Sequence, residues 1–333
     1  MVILSVSGRC APSCAAPRDN WDYLGSRGTL DALADAFTTR GLSVQARGYA
    51  SHPAHTFTPP ALNVPQRGYA ALQDDLNALK PWLGAPRPPR LVLLGHSQGA
   101  VWLHHLTRVN PSVPIDEQID LDGICLGWRG DFASLLRARP ADPSPLEACD
   151  VIRVAGRNLN IKDVVWPNVK LNLEVQSKRL PARTQTLGLP VNYLFELTPN
   201  TRLDGTRTGL ERFVSTREDH SAVSYPRSEA MGWVTGRLLA LTRDWTPAPP
   251  GPATTDVVPG PDDHAQTTVP SRPGTDDDAG SVGGRRRQPN PGQPRGGLLR
   301  PSSCAPRSGG NQFSSACTAT GSGAASGPAK MTL

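Results

Sequence analysis

The sequence predicts an α/β fold: a mostly parallel central sheet with helices on both faces over residues 1–245, then a disordered low-complexity tail over 246–333. Three observations predict it. Apolar, β-branched runs alternate with segments of helical period. One run, Leu91-Val92-Leu93-Leu94, is apolar at every position, as a strand covered on both faces is. After Trp245 the composition turns to Pro, Gly, Ser, Thr, Asp and Arg with almost no large apolar residues. Such a segment has too little apolar surface to offset the entropy of ordering it.

The elements follow in order. Val2–Val6 reads as a buried strand that ends at Ser7-Gly8. Leu30, Leu33, Ala34 and Phe37 recur at helical spacing, with Gly41 as a C-cap. Residues 43–46 read as a strand, and 50–64, rich in Pro and His, as a loop. Tyr69, Leu72, Leu76 and Leu79 mark a helix closed by Pro81. The run 91–94 is followed by a helix over 99–108. Strands are expected at 119–126, 151–155 and 193–197. A final helix over 221–242 carries Val223, Trp233, Val234, Leu238 and Leu239. Residues 170–178 alternate apolar and polar side chains and suggest a strand or hairpin near the entrance of a site. Residues 127–147 hold Trp128, Phe132, Leu135 and Leu136. They suggest either a small lid over an apolar pocket or a helix covering a sheet edge.

The formal net charge of the 333-residue chain is +6. Its basic residues are scattered, and the one dense run, Arg285-Arg286-Arg287, lies in the tail. A nucleic-acid partner needs a clustered stripe, so none is expected. The six cysteines, Cys10, Cys14, Cys125, Cys149, Cys304 and Cys317, show no paired CxxC spacing, and no metal site is expected. Cys125, in an apolar run, reads as a buried free thiol. Cys10 and Cys14 would pair only in an oxidising compartment. No signal peptide is visible and no run reaches the length of a transmembrane helix, so a cytoplasmic location is expected. Oligomeric state is not legible.

The chemistry lies in Gly95-His96-Ser97-Gln98-Gly99, an instance of GxSxG with a buried strand directly before it and a helix directly after. A sharp turn there lifts the Ser97 hydroxyl clear of the sheet. Gly95 and Gly99 let strand and helix approach closely. The N–H of Gln98 at the helix start points toward a developing oxyanion. His96 is adjacent in sequence but badly placed to serve as base, and reads as packing beside the site or lining a pocket.

This strand–turn–helix unit resembles the α/β-hydrolase superfamily, and the spelling GHSQG resembles its lipase and esterase branches. The resemblance spans 1–245. It implies a sheet trimmed at the N-terminus, a serine nucleophile and, later in the chain, an acid and then a histidine. Among the seven histidines, His52 and His55 precede the serine, His104 and His105 lie on the following helix, and His264 is in the tail. His220, in a polar loop before the last helix, remains as the base. For the acid, the strand expected over 151–155 leads to Asp163, the preferred candidate. Asp122, Asp204 and Asp219 are alternatives; some lipase-like enzymes use an acid at the place of Asp122. The loop after the first strand would supply the second oxyanion donor, the N–H of Arg9 or Cys10. Trp128 and Trp166 would line the substrate pocket.

The resulting expectation is acyl transfer without metal or cofactor: Ser97 attacks, His220 carries the proton, Asp163 orients His220, and Gln98 and Arg9 hold the oxyanion. The expected substrate is a small-molecule carboxylic ester or lipid-like ester. A thioesterase or amidase, a non-catalytic protein of the same fold, and an interaction protein acting through its basic tail are the alternatives.

Overall fold

Apolar side chains alternate along the strands, and each parity faces a different layer of helices. In the computed structural model, which describes residues 1–9, 17–138, 140–178 and 198–245, this produces a three-layer arrangement. The described residues lie within one compact unit, Met1–Val257. The tail, the strand expected at 193–197, and Cys10 and Cys14 lie outside the described residues.

The chain runs β1 (Val2–Val6), α1 (Tyr23–Ser26), α2 (Thr29–Thr38), β2 (Gln45–Tyr49), β3 (Thr56–Phe57), β4 (Gln66–Arg67), α3 (Tyr69–Leu83), β5 (Leu91–His96) and α4 (Gln98–Val109). It continues through β6 (Ile115–Leu121), α5 (Trp128–Arg137), β7 (Val151–Val154), β8 (Arg157–Asn160), β9 (Val164–Val165), β10 (Val169–Ser177), β11 (Thr201–Arg202), β12 (Leu210–Ser215) and α6 (Glu229–Leu241). Six strands form the central sheet in the order β12-β10-β6-β5-β1-β2. Every neighbouring pair is parallel. Parallel neighbours need crossovers, and the helices supply them.

Val2, Leu4 and Val6 of β1 and Leu91 and Leu93 of β5 pack with α3, α4 and α5, around Leu72, Leu76, Trp102, Leu106, Trp128 and Phe132. Ile3, Val92 and Leu94 face the other way, toward Leu33, Phe37, Val234 and Leu238 of α2 and α6. Burying one such aliphatic side chain contributes roughly 1.5–3 kcal/mol, so β5, apolar over Leu91–Leu94 and fully buried, anchors both layers.

Several boundaries differ from those expected. The expected strand at 119–126 is β6, which begins at Ile115 and stops at Leu121. The strand expected at 151–155 is not in the sheet: β7 pairs antiparallel with β8 in a separate hairpin. The segment 170–178 is instead β10, a central strand between β6 and β12. The final helix starts only at Glu229, capped by the Ser228 side chain on the Met231 amide, after a short 3-10 turn at Ala222–Ser224. Helix α3 carries Pro81 in its last turn and runs on to Leu83.

β6 and β10 were hard to read because their α4-facing sides are polar. Asp120 accepts hydrogen bonds from His104 of α4 (3.0 Å), from Gln118, from Asn172 of β10 and from Asn200 (2.9 Å). A buried polar seam of this kind is tolerated because the carboxylate and amide groups that meet at Asp120 satisfy one another.

Glu117, also on β6, differs. It is fully buried, and neither carboxylate oxygen has a partner among the described residues. Burial pushes its pKa from 4.5 up to about 8. The folded state then holds a proton that the unfolded chain releases, so this contribution is most favourable below about pH 4.5 and is lost as pH rises toward 8. Thermal melts are expected to show stability falling between about pH 5 and pH 8. Glu117→Gln should shrink that fall, and an undiminished fall in the variant would show that Glu117 is not held neutral.

Candidate active site

The turn from β5 into α4 places Ser97 at φ 59° and ψ −129°. A non-glycine residue at positive φ costs on the order of 1–3 kcal/mol, so surrounding structure must impose it. Two glycines do so. A Cβ at Gly99 would lie 1.9 Å from the carbonyl oxygen of Val6, and one at Gly95 would lie 2.6 Å from the Ala100 backbone. The helix start therefore presses against β1 and β5 as only glycine allows. The Ser97 amide is fixed by the Leu121 carbonyl at 3.0 Å. Gln98, the first residue of α4, has an N–H without an intrahelical acceptor, beside Ser97.

The loop after β1 closes on the same point. A Cβ at Gly8 would fall 2.4 Å from the Ser97 Cβ. The Gly8 amide donates to the Tyr23 hydroxyl at 2.8 Å. The next amide along the loop belongs to Arg9, whose side chain reaches Asp131 at 3.6 Å.

His220 arrives on the loop after β12. Its Nε2 lies 3.0 Å from Ser97 Oγ, and its Nδ1 lies 2.7 Å from Asp122 Oδ2. Asp122 follows β6 directly and also takes a positive φ of 50°. Its carboxylate accepts from the Ser177 amide at 3.0 Å and from the Ser177 hydroxyl, both at the end of β10. Burial works to raise the Asp122 pKa, but the bonds from His220 and Ser177 outweigh it and hold the carboxyl below its ordinary value. The site thus sits at the carboxyl ends of parallel strands, with the serine after β5, the acid after β6 and the histidine after β12. The fold is the α/β-hydrolase fold.

Asp122 and not Asp163 meets His220. Asp163 is buried behind α4 and paired with Lys162, whose side chain lines a small cavity with His104, Asp120 and Glu174. The expectation for Asp163 followed from placing 151–155 in the sheet. With β10 in that place, the strand ends on Ser177, which supports the Asp122 carboxylate. The sequence signal for Asp122 was Asp-Gly closing a strand straight after the elbow helix, since Asp tolerates left-handed backbone better than most residues.

Neither tryptophan lines the site. Trp128 is 1% exposed, packs on Trp102 and Phe132, and donates from Nε1 to the Pro145 carbonyl. Helix α5 is thus part of the core and not a lid. Trp166 packs against Val154, Leu159 and Val164, and under Arg108. Arg108 lies at the far end of α4, about 15 Å along the helix from Gln98. His96 is 3% exposed with both ring nitrogens engaged, so it offers no pocket surface. Cys10, the alternative oxyanion donor, lies outside the described residues. Asp204 bonds Thr206, and Asp219 caps the turn through the Ser221 and Ala222 amides.

Cys125 is not a free thiol but is bonded to Cys149. The bond ties the loop after Asp122 to the segment below α5. Among the described residues, no group of three or more His, Cys, Asp and Glu side chains is placed to hold a metal ion, and no helix is long and apolar enough to cross a membrane.

No family model and no curated protein matches this chain. Several solved structures are similar. A metagenome-derived lipolytic enzyme is 17% identical, with 73% of this chain and 94% of that chain covered and a TM-score of 0.38. An esterase of Pyrococcus furiosus is 12% identical, with 73% and 80% covered and a TM-score of 0.37. A serine hydrolase of Xanthomonas campestris, described as lacking a lid, is 16% identical, with 74% and 84% covered and a TM-score of 0.32. At these identities and scores the likeness says nothing of substrate or mechanism.

The Cys125–Cys149 bond closes a loop of 24 residues in sequence. Cross-linking a loop of that length stabilises by about 3 kcal/mol through the unfolded chain. Replacing both cysteines by serine is expected to lower the denaturant midpoint accordingly. An unchanged midpoint in non-reducing buffer would show that the bond contributes nothing.

Proposed function

We propose that the chain is a serine hydrolase that cleaves a carboxylic ester, in the manner of an esterase or lipase-like enzyme, through an acyl-enzyme on Ser97. The observation that carries this reading is the continuous hydrogen-bonded line from Ser97 Oγ through both nitrogens of His220 to the Asp122 carboxylate. Asp122, held charged, keeps the proton on His220 Nδ1 and leaves Nε2 bare toward the serine. As Ser97 Oγ attacks the carbonyl carbon, Nε2 takes its proton. Asp122 then stabilises the imidazolium that results. The N–H groups of Gln98 and Arg9 receive the negative charge on the carbonyl oxygen. His220 returns its proton to the departing alkoxide, and the same sequence with water releases the acid.

The catalytic unit in this reading is 1–245. The substrate is a small ester, and no metal or organic cofactor takes part. The Cys125–Cys149 bond favours an oxidising compartment over the cytoplasm.

Fluorophosphonate labelling tests the reading. Wild type should be labelled covalently, and Ser97→Ala should not. Asp122→Asn is expected to lower the labelling rate by about 10²–10⁴-fold, because it permits the wrong His220 tautomer. Asp163→Asn should leave that rate within about threefold while destabilising the fold, since it removes one charge of a buried ion pair. A folded wild-type sample that takes no label would sink the enzyme reading. A set of p-nitrophenyl esters, thioesters and anilides of increasing chain length assigns the bond cleaved. A chain ending at Trp245 should keep the full labelling rate.

A further inference from the structure

We propose that Tyr23 and His96 are positioning residues that couple the oxyanion loop after β1 to the base loop after β12. The proposal rests on the serine-hydrolase reading above and concerns how its parts are held in register.

The hydrogen bonds admit one direction only. His96 Nε2 lies 2.7 Å from the His220 carbonyl oxygen. A carbonyl only accepts, so Nε2 carries the hydrogen. Burial holds His96 neutral, with its pKa lowered to about 3, so Nδ1 has no hydrogen and must accept. Its partner is the Tyr23 hydroxyl. That hydroxyl, donating to His96, accepts in turn from the Gly8 amide at 2.8 Å. The line therefore runs from Gly8 N–H to Tyr23, from Tyr23 O–H to His96 Nδ1, and separately from His96 Nε2–H to the His220 carbonyl. Each donor meets one acceptor, and Tyr23 and His96 are buried.

Two consequences follow for the reacting atoms. The Gly8 amide is consumed, so the loop's contribution to the oxyanion falls to the next amide, that of Arg9, whose place depends on the Gly8–Tyr23 bond. At the other end the backbone of His220 is pinned through its carbonyl while its ring spans Ser97 and Asp122. The rings of His96 and His220 lie 4.8 Å apart. The link is braced from outside by Arg27, whose guanidinium lies 4.6 Å from the Tyr23 ring and 4.8 Å from the ring of Tyr225, on the His220 loop. The residue before the nucleophile thus holds both of the loops that act on it.

The test compares full-length wild type with Tyr23→Phe, His96→Phe, the double variant and His96→Gln. The readouts are the fluorophosphonate labelling rate, kcat and KM on a p-nitrophenyl ester, and thermal melting. Each single Phe variant is expected to lower labelling and kcat by about 10- to 100-fold, as misplacement of reacting groups by roughly 1 Å does. KM should stay within about twofold, because ground-state binding is untouched. The double variant should be no more than about twofold slower than the worse single, since the two residues form one line. His96→Gln, whose amide offers both a donor and an acceptor, should recover part of the rate. Tyr23→Phe keeps ring and volume, and tests the idea even if His96→Phe does not fold. Labelled variants at the wild-type rate, or losses that multiply in the double variant, would overturn the coupling and leave the serine-hydrolase reading intact. An unlabelled wild type would overturn that reading and the coupling with it.

Discussion

The left-handed backbone at Ser97 is the constraint on which the site depends. It is held because β5 enters the turn fully buried on both faces and α4 leaves it with Gly99 against the Val6 carbonyl. The strain is small beside the burial of a strand and a helix, so packing wins and the serine stays in its raised position. The same close approach brings β1 beside β5, and with it Gly8 against the Ser97 side chain. Ser97, the first amide of α4 and the loop after β1 therefore form one packed object.

The second feature is the polar seam between α4, β6 and β10. His104, Asp120, Asn172, Asn200 and Glu174 share a buried network. Burial alone would lower the His104 pKa, but the Asp120 carboxylate reverses this and raises it. Glu174 is pushed up to about 7 by burial. Such a network is stable only when each member is satisfied, so it fixes the register of β6 against β10. That register matters for chemistry. Asp122 leaves the end of β6 and Ser177 ends β10, and only in this alignment does the serine reach both carboxylate oxygens.

The boundary between what was legible in the chain and what was not follows the same seam. Leu91–His96 and Gln98–Val109 were readable because a short run apolar at every position leads straight into a turn that carries its own glycine code. His220 was readable as the histidine that fits the chain order implied by the family resemblance. Ile115–Leu121 and Val169–Ser177 were obscured because Asp, Glu, Gln and Asn occupy positions where a central strand is ordinarily apolar. Their partners are distant in sequence, so no local pattern announces that they are satisfied. The misplaced strand at 151–155 then carried the acid with it to Asp163.

The sequence by itself determined the α/β class, through local periodicity, and put Ser97 and His220 forward as candidates, the first through turn chemistry and the second through the chain order that the family resemblance implies. Only the tertiary structure decided the contact of Asp122 with His220, the burial of Trp128 in the core, the Cys125–Cys149 bond and the line through Tyr23 and His96. Each of those is a contact between residues far apart in the chain. Such contacts are chosen by which strands lie side by side, and here a buried polar network makes that choice.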